Sequence, residues 1–71
     1  MILAIHHMDG RCIAESWFGE EALIAIPIWT RNVIQREFEC SRDDIGMSAT
    51  EEDVFTVCGH PVVRIVERKM N

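Results

Sequence analysis

Two runs with apolar residues on both alternating faces open the chain, Ile2 to Met8 and Arg11 to Phe18, and Asp9-Gly10 joins them. An Asp-Gly step between β-prone runs is a strong hairpin signal, because a tight type I′ turn needs positive φ at both central residues. A two-residue turn sets Met8 opposite Arg11, His7 opposite Cys12 and Ile5 opposite Ala14. One face then carries Leu3, Ile5, His7, Cys12, Ala14 and Phe18, which predicts the core side. The other carries Ile2, Ala4, His6, Met8, Ile13 and Trp17, with Arg11 and Glu15 among them. That face is half apolar, which predicts cover from the rest of the chain or from a partner.

Downstream, Ile24, Ile26 and Ile28 alternate and Pro27 interrupts any helix. The pattern predicts a buried extended segment, an edge strand where a missing N–H does no harm, with a short helical turn near Glu20 as the alternative. Residues 29–40 read two ways. As a helix capped near Thr30, Val33, Ile34 and Phe38 share a face and the charges point outward. As a strand, Ile34, Phe38 and Cys40 share a face that Arg36 interrupts. The helix fits the charged positions better. Ser41 to Asp53 reads as a polar connection. Residues 50–58 fit a helix with a capping box at Thr50 and Asp53, or a strand through Val54–Val57, whose β-prone side chains favour the strand. A two-residue turn at Gly59-His60 would need an N–H that Pro61 lacks, so a longer loop is expected before the last strand, Val62 to Arg68.

These elements predict one α+β domain over residues 1–71: an N-terminal β-hairpin, an apolar extended segment, one helix and a C-terminal strand pair, in a ββαββ-like two-layer arrangement. A small all-β barrel is the alternative. The order resembles ubiquitin-like β-grasp domains in outline. Conjugated and sulfur-carrying members of that class end in a Gly-Gly tail, whereas this chain ends Glu67-Arg68-Lys69-Met70-Asn71, so the resemblance does not carry that chemistry.

Composition narrows the classes of function. At 71 residues a single core is marginal, and domains of this size often lean on a disulfide, a metal or a partner. The net charge of −5 sets the chain against phosphate backbones and anionic lipid, so no direct nucleic-acid or membrane binding is expected. The longest apolar run, Ala22 to Trp29, is too short to span a bilayer. Cys12, Cys40 and Cys58 are an odd, irregularly spaced set, which argues against a disulfide framework. With no leader-like N-terminus, the expectation is a cytoplasmic chain with reduced thiols.

Candidate chemistry is sparse. His7 with Cys12, and Cys58 with His60, offer two halves of a zinc site, although no Cys-x-x-Cys knuckle is present. The same pairs lack an Asp or Asn to orient the histidine of a thiol nucleophile, so no enzyme is expected. Arg64, Arg68 and Lys69 suggest an anion-binding stripe or protection of an edge strand. The leading expectation is a small acidic, non-enzymatic protein–protein interaction module, of the kind that serves as a bacterial or phage regulator or inhibitor. It would dock on a larger protein or on a second copy through Met8, Ile13 and Trp17, with Glu20, Glu21, Asp43, Asp44, Glu51 and Glu52 as an acidic rim. The rival expectation is a small zinc-binding domain using His7, Cys12, Cys58 and His60.

Overall fold

The computed structural model describes residues 1–69. Five strands and one long helix follow in the order β1 (Ile2–His7), β2 (Cys12–Trp17), α1 (Ala22–Phe38), β3 (Ile45–Met47), β4 (Val54–Val57) and β5 (His60–Arg68), with a 3-10 turn at Arg42–Asp44 before β3. The strands form one antiparallel sheet in the spatial order β2-β1-β5-β4-β3. This is an α+β fold, as expected, but its order is ββαβββ. The additional strand, β3, lies in the segment that reads as a polar connection.

The first hairpin departs from a two-residue turn. The His7 N–H donates to the Arg11 carbonyl (2.7 Å) and the Gly10 N–H to the His7 carbonyl (2.8 Å), so the loop is Met8-Asp9-Gly10. Gly10 takes φ 97°, which completes a three-residue loop of the type I plus bulge kind. The Asp9 carboxylate accepts the Arg11 N–H at 2.9 Å. A second bulge restores the register: Ile5 faces Ala14 as expected, but His6, not His7, faces Cys12. Ile13 is the extra residue, and it packs on the core instead of the outer face.

The second hairpin does have a two-residue turn, one position earlier than Gly59-His60. Val57 faces His60, and Cys58 (φ 51°) and Gly59 (φ 83°) form the corner with the positive φ values of a type I′ turn. Thr56 then faces Pro61. The pair beside a two-residue turn exchanges hydrogen bonds and the next pair does not, so the missing proline N–H costs nothing.

The largest correction is in the middle of the chain. Residues 22–38 are one helix that runs through Pro27, where an extended segment and a helix from Thr30 were expected. Proline removes a single intrahelical bond, the one to the Leu23 carbonyl, close to the helix start. Thr30 is no cap. It is fully buried in mid-helix and its hydroxyl donates to the Ile26 carbonyl at 2.8 Å. Glu39 in the left-handed conformation (φ 50°, ψ 47°) ends the helix.

Val33 and Ile34 of α1 pack on Ile5, Phe55 and Val63 of the sheet to form the core. Phe18 meets Trp29 edge-on, with ring centroids 5.0 Å apart. The helix covers one sheet face only. Five strands put the outer two axes about 19 Å apart, whereas a helix with its side chains is about 10 Å wide. One helix therefore leaves part of its own face of the sheet uncovered.

Candidate interaction surface

The uncovered part lies between the first turns of α1 and the β3–β4 side of the sheet. Ile65 lines it from the sheet, Ile26 from the helix and Met47 from the edge strand β3, with Met1 at one end, and the core residues Leu3 and Phe55, only 7% and 8% exposed, reach its floor. The groove measures about 410 Å³. Its charged lining residues are Glu52, Asp53 and Glu67. Among the described residues, none of these three carboxylates has a cation within ion-pair distance. The Met1 ammonium is turned to the Phe18 carbonyl at 3.1 Å.

Helical periodicity extends the apolar character past the groove. Leu23, Ile26, Thr30 and Val33 follow one another at spacings of three and four, and Ile34 lies four after Thr30, so all five fall on the stripe that faces the sheet. Thr30, Val33 and Ile34 are buried on it, Ile26 is half-buried, and Leu23 is 93% exposed. The core-facing stripe thus continues one turn beyond the sheet that buries it. Ile24 (72% exposed) and Ile28 flank it on the outer side of the helix.

The residues singled out from sequence do not assemble into one patch. Trp17 ends β2 on the helix-free face and is 64% exposed. Its ring lies over Gly19, where a Cβ would meet it at 3.1 Å. Met8 is exposed in the hairpin loop, six residues along β1 from Ile2, the partner of Trp17. At strand rise that is about 20 Å away. Glu20 and Glu21 precede the helix near Trp17, and Glu51 and Glu52 lie in the β3–β4 connection. Asp43 and Asp44 sit at the opposite end of the sheet, where the Asp44 carbonyl accepts the Cys58 N–H. Several acids have local partners: Asp44 closes a capping box with Ser41, Glu21 accepts the Gly19 N–H, and Glu51 pairs with Arg64 at 3.1 Å.

The four residues considered for zinc do not converge on one site. The bulged register puts Cys12 opposite His6, while the His7 ring turns to Phe38, 5.6 Å between centroids. Cys58 and His60 flank the β4–β5 corner and are exposed. Among the described residues no group of three or more His, Cys, Asp or Glu side chains is placed to hold a metal ion. All three cysteines are free.

The last strand is a correction of another kind. β5 is the central strand, so its cations do not guard an edge. Arg68 reaches across β1 to Glu15 on β2, and Arg64 reaches Glu51. These pairs lie on the helix-free face, where Ala4 and Val54 are buried without a covering element. A second hollow of about 380 Å³, at the strand ends beside Trp17, carries Arg68 and Lys69 as well as Glu67. Its mixed charge distinguishes it from the acidic groove. No helix among the described residues is long and apolar enough to cross a membrane.

No family model, curated protein or solved structure matches this chain.

Proposed function

We propose that the chain is a small acidic, non-enzymatic protein–protein interaction module, a regulator or inhibitor that acts by docking on a larger protein. The observation that carries this reading is Leu23, a large apolar side chain on the core-facing stripe of α1 yet 93% exposed. Burying a leucine stabilises by roughly 1.5–3 kcal/mol, so a folded chain that leaves one out on its packing stripe retains a surface suited to a partner. The groove beside it supplies further apolar area. A second copy of the chain fits this surface poorly. Each copy carries a net charge of −5 and acidic groups on the groove, and pairing would set like charges together.

A photo-crosslinking residue at position 23, compared with one at exposed Glu37 near the helix end, tests the reading in the native cells. The expected result is a protein adduct at 23 that is absent at 37 and competed by unlabelled chain. Equal adducts at both positions, or none at 23, would overturn the proposal. An adduct of twice the chain mass, with a dimer in sedimentation, would replace the larger partner by a second copy.

A further inference from the structure

Resting on that reading of the surface, we infer that the groove between α1 and the β3–β4 side takes a short segment of a partner protein carrying one or two large aliphatic side chains flanked by lysine or arginine. Three observations define this occupant. The sheet side of the groove is apolar, with Leu3, Phe55 and Ile65 upon it, and Ile26 and Met47 stand at its sides. That lining suits aliphatic anchors, which are desolvated without leaving a polar group unpaired. All the charged side chains lining the groove are acidic: Glu52, Asp53 and Glu67.

The third observation is that, among the described residues, the groove acids lack a cation, as Glu20, Glu39 and Asp43 do elsewhere, whereas two acids of the helix-free face are paired. Glu15 and Glu51 are paired with Arg68 and Arg64. Glu52, Asp53 and Glu67 have no such partner among the described residues. Three unneutralised carboxylates beside an apolar floor favour cations next to the anchor and repel acidic ones, so the rim selects among apolar segments by charge. Met47, on the three-residue edge strand β3, is 58% exposed and adds apolar area at that side of the groove. The volume, about 410 Å³, lies within the ~300–1,000 Å³ range of ligand sites.

Selection of a displayed random-octapeptide library on the full chain tests this without a known partner. The selected pool is expected to be enriched in Leu, Ile or Met with Lys or Arg within two positions. The most enriched peptide should shift the amide resonances of Leu3, Met47 and Phe55, and the double variant Glu52→Lys, Glu67→Lys should weaken it at least tenfold. Selection on that variant should return acidic flanks instead. A pool without charge bias, an unchanged affinity on charge reversal, or shifts confined to Trp17 or Met8 would overturn the proposal, as would failure to enrich any peptide. Both substituted positions are exposed, and unchanged melting of the double variant verifies that folding is retained. An adduct at position 23 combined with failure here removes the groove occupant and leaves the docking reading standing. Loss of both results removes the two together.

Discussion

Leu23 and Ile34 occupy the same stripe of α1, and the structure gives them opposite weights. Ile34 is fully buried against the sheet. Ile34→Ala is expected to cost about 2–5 kcal/mol in chemical denaturation, the usual range for truncating a core aliphatic. Leu23→Gln removes an exposed side chain and keeps helix propensity, so its effect on stability is expected to stay within about 0.5 kcal/mol. Equal losses at the two sites would mean that Leu23 is covered by the chain itself. At the β4–β5 corner, Cys58 holds a left-handed φ of 51° beside Gly59. Asn-Gly is the preferred pair in such turns, so Cys58→Asn is expected to raise the melting temperature and to show that the thiol is dispensable to the fold. Asp9 adds a pH-dependent contribution. The Arg11 N–H bond to its carboxylate holds it below its ordinary value of 3.8; desolvation opposes this, and the charges of His7 and Arg11 add lesser attraction. A lowered folded value means stability that is present above 3.8 and lost as the pH falls through the lowered one. The destabilisation caused by Asp9→Ala is therefore expected at neutral pH and should vanish in acid, as measured by denaturant midpoints across the range.

For whole elements, α1 shows how a local rule yields to packing. The alternating isoleucines around Pro27 are helical despite the proline, in a helix whose Thr30, Val33 and Ile34, further along, are buried against the sheet that carries Ile5, Phe55 and Val63. The helix keeps one proline near its start and loses one hydrogen bond. Pro27→Ala restores the donor for the Leu23 carbonyl, and it is expected to stabilise the protein by about 1–3 kcal/mol with higher helix content in circular dichroism. A destabilised variant would show that the proline conformation is needed where the helix leaves the sheet. The two hairpins teach a related lesson. Asp9-Gly10 and Cys58-Gly59 both mark corners, and Ile5 facing Ala14 is legible from the first of them. The bulges at Ile13 and Val62 are not, because an inserted residue is stabilised by what it packs against. The extra residue Ile13 puts Cys12 opposite His6 and undoes the paired half-site that a flush register suggests.

Across the whole molecule, the sheet is too wide for its single helix. β1, β5 and β4 are paired on both sides, whereas β2 and β3 are edges. Amide exchange is expected to be slowest at Ala4, Ile5, Val63 and Ile65 and fastest in β3 and the first turn of α1, where the groove opens. Slow exchange throughout β3 in the isolated chain would indicate that the edge is already paired, by a second copy. The ion pairs on the helix-free face are solvent-exposed and contribute roughly 0–1 kcal/mol each, so raising salt should leave the melting temperature nearly unchanged. The same salt should weaken the groove's preference for basic flanks.

By itself the sequence determined the strand character of Val54–Val57 and of the last segment, the α+β class, the excess of acid, and that the chain turns at Gly10 and near Gly59, though not the lengths of those turns. Each follows from neighbours along the chain: the φ a glycine permits, the branching at Cβ, the sum of charges. Tertiary structure decided the extent of α1, the register at Cys12, the strand Ile45–Met47 and the groove. Each of these depends on which side chains cover one another across the sheet, and a helix about half as wide as five strands leaves apolar positions that no local pattern marks as exposed.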